Sequence, residues 1–507
     1  MVSKTNEQAL EALIEKALTG TCREALPANQ VGEESVAYGS SKTFVMGFAD
    51  DFDAQFAVDT RYFWQFLETT QADQLDKLRK YPDWERKILE RFDRLIKRHG
   101  ILQLLKKGLA VDDAFFNLMY PAPLASSSQS VQDNFAANIF SVTRQVRYSL
   151  ANPGHEIDMV LFINGIALVS LELKNPWTGQ TARYHGTRQY CEDRDTAQPL
   201  LSVGRCLVHM AVDTDEVYMT TKLAGKKTFF LPFNKGHNHG AGNPPNLSST
   251  GGGHKTAYLW EEVFTRESLA NIIQHFVRLD GAPKDPLAKR TLFFPRYHQL
   301  DVVRKLIAHA SEHGAGQTYL IQHSAGSGKS NSITWAAFQL IEVYEDGQEK
   351  PLFDSVIVVT DRRLLDKQLR DNIKNFSEVK NIIAAAHSSA DLRSALEGGK
   401  KIIITTIQKF PFIIEGIADL SDRKFAVIID EAHSSQSGSA HDNMNRAMGK
   451  DDSDAVDAQD KIVEAMQSRK MRGNASYLAF TATPKNTTLE KFGQKQPDGS
   501  FVPFHLY

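Results

Sequence analysis

The sequence predicts a two-domain α/β chain, with a mixed sheet in the first half and a parallel sheet in the second. Three observations predict it. Strand-like runs occur at 139–149 (IFSVTRQVRYS), 157–163 (IDMVLFI) and 166–173 (IALVSLEL), and the last two flank Asn164-Gly165, a strong hairpin signal. From Thr291 the rhythm changes to short β-branched runs alternating with helical segments: TYLIQ (318–322), SVIVVT (355–360), KIIITT (401–406), FAVIID (425–430) and SYLAF (476–480). Continuously apolar strands of this kind belong to a parallel sheet covered on both faces. Between the two patterns, Asp280–Lys289 (DGAPKDPLAK) reads as a linker. The expected domains are 1–284, with a core at about 138–232, and 285–507.

Composition narrows the class. The chain has 507 residues, too many for one ordinary core. Its formal charge of −2 excludes a uniformly basic nucleic-acid coat but leaves local basic patches open. A 42% hydrophobic and 24% charged composition describes a soluble globular chain. No run approaches the length of a membrane span, and the N-terminus reads as an amphipathic helix without a signal-peptide core. The expectation is therefore a cytoplasmic protein with no membrane partner. Cys22, Cys191 and Cys206 stand at unrelated spacings and give neither a disulfide framework nor a zinc site.

Local signals fill in the elements. Asp73–His99 is strongly amphipathic and is divided into two helices by Pro82. Asn234–His254 is rich in Gly, Asn, Pro and His and is expected to be a mobile loop, so His237, His239 and His254 lack a rigid ligand frame. A helix is expected over about Glu267–Val277. The basic run Lys97–Lys107 reads as a solvated helix face. Asp451–Asp460 reads as a solvated insertion within a polar, partly mobile stretch, Ser434–Ser476.

Two constellations carry chemistry. HSAGSGKS (323–330) follows a strand and precedes a helix, the context a phosphate-binding loop requires. Gly326, Ser327 and Gly328 would wrap backbone amides around phosphates, Lys329 would reach the β/γ-phosphates and Ser330 would ligate Mg²⁺. His323 stands where the full pattern has Gly. Downstream, FAVIIDEAH puts Asp430 and Glu431 at the carboxyl end of a buried strand; Asp430 suits Mg²⁺, and Glu431 suits activation of the attacking water.

These motifs, in this order, resemble the superfamily 2 helicases and translocases, with a RecA-like fold over about 291–484. The resemblance implies adenine recognition by Arg296 and Gln299 in FFPRYHQ. It implies nucleic-acid contacts from TDRRLLDKQL (360–369, including Arg362) and TTIQKF (405–410, including Thr406). TATP (481–484), with Thr481 and Thr483, would couple hydrolysis to motion. It also implies a second RecA-like domain beyond Tyr507, without whose arginine finger this chain alone would hydrolyse ATP weakly.

The second constellation is IDMVLFINGIALVSLELK (157–174). Asp158 and Glu172 are carboxylates able to share Mg²⁺, and Lys174 is an ammonium able to orient water. Glu172 and Lys174, two apart on a strand, face the same side. A strict two-residue turn pairs residues whose numbers sum to 329 and sets Asp158 opposite Leu171; one extra residue makes the sum 330 and sets Asp158 opposite Glu172. A metal site therefore requires an irregular hairpin. Gln180 and Tyr184 follow in a basic-aromatic stretch suited to DNA.

This region resembles the PD-(D/E)xK nucleases of the RecB-like branch, with Asp158, Glu172 and Lys174 at the catalytic positions and Gln180 and Tyr184 at the helical Gln-x-x-x-Tyr motif. Ile157 replaces the usual Pro. Either Glu11 or Glu15 is open as an additional acid from the first helix. The order of nuclease then motor, with stretches such as VLFINGIALVSLELKNP, FLPFNKGHNHGAGNPP and FFPRYHQLDVV, resembles the R subunit of type I restriction-modification enzymes. The resemblance implies ATP and Mg²⁺ as cofactors, double-stranded DNA as substrate, and methyltransferase and specificity subunits as partners. Two other readings stay open: an autonomous helicase-nuclease in repair or phage defence, and a non-cleaving motor whose first domain only docks.

Overall fold

A computed structural model describes residues 7–26, 43–124, 127–238, 240–247, 253–282, 284–345, 350–360, 382–386, 388–406, 423–430, 474–484 and 486–507. They form two compact units, Met1–Tyr297 and His298–Tyr507. Among the described residues no helix is long and apolar enough to cross a membrane.

The first unit is organised by a nine-stranded mixed sheet. Its central strands are β1 (Phe140–Arg147), β2 (Glu156–Ile163), β3 (Ile166–Leu173), β4 (Val208–Val212) and β5 (Val217–Thr220), neighbours in that order. β1, β2 and β3 run antiparallel through tight connections, while β3 and β4 are parallel. Every residue of β3 is buried, so this strand is the spine of the unit. Helix α1 (Glu7–Thr19) packs Leu10, Ile14 and Leu18 inward at helical spacing. The amphipathic segment forms the C-terminal part of α2 (Thr60–Leu78) and all of α3 (Trp84–His99), with Pro82 in the break. Asp59 caps α2 by accepting the Tyr62 amide at 3.1 Å.

Two segments differ from their expected state. Asp280–Lys289 is no free linker: it lies within an antiparallel ribbon that pairs Arg278–Asp280 with Thr291–Phe293. Its turn-rich composition reflects a turn rather than a boundary. In Asn234–His254, the described residues are tied down by side-chain amides. Asn243 accepts the Lys235 amide at 2.8 Å and donates to Asn234 Oδ1 at 2.9 Å, and both asparagines are buried. Asn-rich polar chain can pack when its own side chains satisfy the backbone.

The second unit is a seven-stranded sheet in which every pairing is parallel. Its strands are β6 (Thr318–Gln322), β7 (Ser355–Thr360), β8 (Ile383–Ala385), β9 (Ile402–Thr406), β10 (Phe425–Asp430), β11 (Ala475–Thr481) and β12 (His505–Leu506). Their spatial order is β8-β9-β7-β10-β11-β6-β12. β7, β9, β10 and β11 are buried along their whole length, as their unbroken apolar runs require. The helices α4 (Tyr297–His313) and α5 (Lys329–Leu340) flank β6 in sequence. Residues 431–473, including the acidic run 451–460, lie outside the described residues.

Candidate active sites

The hairpin joining β2 to β3 has the irregular register a metal site needs. Beside the turn, Ile163 pairs with Ile166 and Phe162 with Ala167, sums of 329. Past a one-residue shift, Leu161 pairs with Val169, Val160 with Ser170 and Met159 with Leu171, sums of 330. Continuing that register sets Asp158 opposite Glu172. The turn itself has Asn164 (φ 51°) and Gly165 (φ 74°) left-handed, the geometry of a two-residue hairpin loop. A Cβ on Gly165 would also lie 2.3 Å from Asp59 O, so glycine is required twice over. A second irregularity faces Asp158 from β1, where Gln145 adopts φ 53° between the paired residues Arg144 and Val146.

Charges cluster at this end of the strands. Asp158 Oδ2 accepts the Leu173 amide at 2.8 Å and lies 3.8 Å from Lys174 Nζ. Lys174 Nζ also reaches Glu7 Oε1 at 3.3 Å and donates to Leu173 O at 2.7 Å. Glu172 is fully buried, and Arg194 closes on it with two bonds, Nε to Oε1 at 2.7 Å and Nη2 to Oε2 at 3.1 Å. Burial first and the Asp158 charge second push the Glu172 carboxyl up to about 8, opposed by Arg194 and Lys174. Glu7, Glu11 and Glu15 line one face of α1 at four-residue spacing. Glu11 bonds Arg144 Nε at 2.9 Å and Gln145 Nε2 at 2.7 Å, while Glu15 bonds Arg144 Nη1 at 3.1 Å. Burial raises the Glu11 carboxyl to about 7, with Asp158 adding to the rise.

The structure thus brings Asp158, Glu172 and Lys174 together with Glu7 and Glu11 of the first helix. Gln180 and Tyr184 are both exposed, the latter on a π-helical turn, Ala182–Gly186. Gly186 of that turn lies against the site: a Cβ there would meet Lys174 Cγ at 3.5 Å and Ala211 Cβ at 2.9 Å. Sequence reasoning missed Arg194, Glu7 and a buried network in which Ser170 Oγ lies 2.7 Å from both the Tyr190 hydroxyl and His209 Nδ1. Glu7 was discoverable from the Glu7/Glu11/Glu15 spacing; Arg194 carried no local signal.

The residues fit a divalent cation. Among the described residues no group of three or more acidic, His or Cys ligands exists. A pair of carboxylates suffices for Mg²⁺, however, which keeps water and takes substrate phosphate oxygens rather than needing an all-protein cage. The repulsion between Asp158 and Glu172 is the feature such an ion relieves.

In the second unit, the carboxyl ends of the parallel strands converge, where α/β folds place ligands. Gln322 of β6 is in register with Thr481 of β11, Phe480 of β11 with Asp430 of β10, Asp430 with Thr360 of β7, and Thr360 with Thr406 of β9. The loop after β6 turns at Gly326 (φ 77°) and Gly328 (φ 83°) before α5 begins at Lys329. A Cβ on Gly328 would lie 2.5 Å from Gln299 Nε2. Gln299 donates to Ser327 O at 3.2 Å and Gly328 O at 3.1 Å, so it braces the loop from α4. The buried Ser327 Oγ and Thr481 Oγ1 have no hydrogen-bond partner among the described residues, and such hydroxyls suit a phosphate-metal ligand.

His323 is fully buried and part of a relay: its Nε2 lies 2.8 Å from His505 Nδ1, and His505 Nε2 lies 2.9 Å from Asp301 Oδ2. Burial, then the neighbouring His505, pushes the His323 imidazole down to about 2. The residue that departs from the phosphate-loop pattern is thus used to anchor the loop's root to β12. Asp430 and Thr406 are buried at their strand ends, Ser330 opens α5 and Thr483 is exposed. Arg296 is half-buried near the end of the first unit. Glu431 and Arg362 lie outside the described residues.

The first unit thus gathers Asp158, Glu172 and Lys174 at the open end of a hairpin, and the second sets a glycine-turned loop at the carboxyl end of a parallel sheet. Residues 64–228 match the family of the type I restriction enzyme R protein N terminus, and residues 298–498 match the SWI2/SNF2 ATPase family. The first match falls within the first unit and the second within the second unit. It is 27% identical over 372 residues to the type I restriction enzyme HindI endonuclease subunit of Haemophilus influenzae, covering 69% of this chain and 32% of that protein. It is 26% identical over 381 residues to the putative type I restriction enzyme MjaIXP endonuclease subunit of Methanocaldococcus jannaschii, with the same coverage. The chain spans about a third of the length of these curated relatives. Among solved structures it is similar to the UvsW helicase from bacteriophage T4, at 12% identity, 42% of this chain, 60% of that one and a TM-score of 0.26.

Proposed function

We propose that this chain is the nuclease-motor portion of a type I restriction R subunit, which moves double-stranded DNA with ATP and cuts it when it is unmodified. The observation that carries the reading is the shifted hairpin register, which sets Asp158 opposite Glu172 with Lys174 on the same face as Glu172. A regular hairpin would have left a surface turn with scattered charges. Asp158 and Glu172 would hold Mg²⁺, which polarises the scissile phosphate and lowers the pKa of bound water. Lys174, held 3.8 Å from Asp158, would orient that water. Gln180 and Tyr184, exposed beside the site, would contact DNA.

In the motor, backbone amides of Gly326, Ser327 and Gly328 would cradle the phosphates, and Lys329 would neutralise them. Ser330 and Asp430 would hold Mg²⁺, Glu431 would activate water, and Arg296 and Gln299 would face the adenine. Arg362, Thr406, Thr481 and Thr483 would couple hydrolysis to DNA. Recognition of the site would belong to methyltransferase and specificity subunits in the cytoplasm.

The test takes the natural gene product containing this region, with Mg²⁺, ATP and plasmid, with and without the neighbouring methyltransferase–specificity complex. Double-strand cleavage only with partners, ATP and an unmethylated site is the expected result. Equal cleavage without partners would replace this reading with an autonomous helicase-nuclease. Restriction that survives Glu172→Ala would make the first domain a docking module.

A further inference from the structure

In the nuclease site the deepest carboxylate already has a cation. Both oxygens of Glu172, itself fully buried, are taken by the Arg194 fork, at 2.7 and 3.1 Å. The remaining charges are also matched, since Lys174 is shared between Asp158 at 3.8 Å and Glu7 at 3.3 Å. Counting Glu7, Asp158, Glu172, Lys174 and Arg194 leaves one net negative charge. A divalent ion entering that set would make it positive in a low-dielectric pocket. Without Arg194 the same set carries two negative charges, which one divalent ion cancels.

Arg194 is placed to respond to DNA. It directly follows the π-helical turn Gln189–Asp193, whose Tyr190 is anchored by Ser170. That turn continues, through Thr187 and Arg188, from the exposed turn Ala182–Gly186 that presents Arg183 and Tyr184. Trp177, just upstream, is 80% exposed. A duplex lying on Trp177–Arg188 therefore bears on the backbone that aims the guanidinium.

We propose that Arg194 is a placeholder cation: it holds Glu172 while DNA is absent and yields it to the divalent ion when a duplex docks on Trp177–Arg188. This rests on the nuclease reading above. The site is then closed to metal, and to stray cleavage, until substrate is in place.

The test measures Mn²⁺ binding to the full chain by electron paramagnetic resonance, without nucleotide, with and without a short non-cleavable phosphorothioate duplex. Arg194→Gln should bind Mn²⁺ about tenfold tighter than the wild type in the absence of duplex, an ordinary size for coupled sites. Duplex should close most of that gap by tightening the wild type. A residue with only a structural role would weaken binding when replaced, so the sign of the change decides. Equal or weaker binding by Arg194→Gln overturns the proposal. Should that variant fail to fold, Arg194→Met, which removes the charge but keeps the length of the side chain, should likewise bind more tightly than wild type, and unchanged affinity overturns the idea equally. Asp158→Asn tests the underlying reading separately: it should lose Mn²⁺ in every background, and retained binding would reject the nuclease site itself.

Discussion

At the end of β3, Asp158, Glu172 and Lys174 sit among partners of opposite charge, whereas the loop after β6 is braced by a neutral side chain, Gln299. In the first case Arg194, Glu7 and Arg144 close the site from within. In the second, left-handed Gly326 and Gly328 curl the chain, and Ser327 Oγ and Thr481 Oγ1 stay without partners among the described residues. The difference follows from the charge each set of groups carries. A carboxylate as deeply buried as Glu172 cannot stand unneutralised, so it takes the Arg194 cation. Backbone dipoles carry no net charge and can be held open for an anion at little cost.

The comparison is broken most directly by asking whether the two sites fail independently. Lys329→Ala should lower ATP hydrolysis by about 10²–10³-fold or more, as loss of one preorganised electrostatic group does elsewhere. Restriction should fall with it. Glu172→Ala should abolish cutting and leave ATP hydrolysis unchanged. Cutting that persists in Lys329→Ala, measured as linearised plasmid per ATP consumed, would show that cleavage does not depend on the motor.

A smaller effect sharpens the claim that the first site is held by paired charges. Arg144 is buried and serves Glu11, Glu15 and Glu24 together. Its loss leaves Glu11 buried without a cation and Glu15 with only Arg23 at 3.7 Å, costing about 3 kcal/mol of stability. Urea unfolding of Arg144→Ala should show that drop, and adding Glu11→Gln with Glu15→Gln should recover most of it. Failure of the glutamines to rescue would mean that packing, not charge, was lost.

Smaller again is a pH effect set by burial alone. Asp59 caps α2 with Oδ1, while the buried Oδ2 has no hydrogen-bond partner among the described residues, and burial lifts its carboxyl to about 7. A raised acid contributes stability that is complete below the unfolded value, near 3.8, and is lost as pH rises through the folded value. Asp59→Asn keeps the cap acceptor and removes the titration. The variant's advantage over wild type should therefore grow between pH 4 and 7 and then level off. A constant difference across that range in urea midpoints would refute it.

How much of this was legible in the sequence depends on the range of the contact. The strands at 318–322, 355–360, 401–406, 425–430 and 476–480 were readable because parallel strands bury both faces and leave an unbroken apolar run. The need for an irregular hairpin was readable too, because strand geometry alone forbids Asp158 and Glu172 to face one another in a regular one. The ribbon across Asp280–Lys289 was missed because Gly and Pro mark a turn and a linker alike. Arg194 was missed for a different reason: it reaches Glu172 through a helical excursion of some twenty residues, and no spacing rule spans that. His323 looked like a defect in a phosphate-loop pattern until its partner, His505, arrived from far along the chain.

The smallest effect expected concerns the surface rather than the pocket. Tyr184 is 65% exposed with Arg183 stacked 5.4 Å from its ring, and among the described contacts it carries no core packing. Tyr184→Ala should change stability by less than about 0.5 kcal/mol, as exposed substitutions do. If the segment receives DNA, the same change should weaken duplex binding by about tenfold, the worth of one aromatic contact. The two measurements together separate a docking surface from a loosely packed one, because a residue there for packing would move unfolding before affinity. Unchanged affinity with unchanged stability would remove Trp177–Arg188 from the DNA path, and with it the route by which a duplex could reach Arg194.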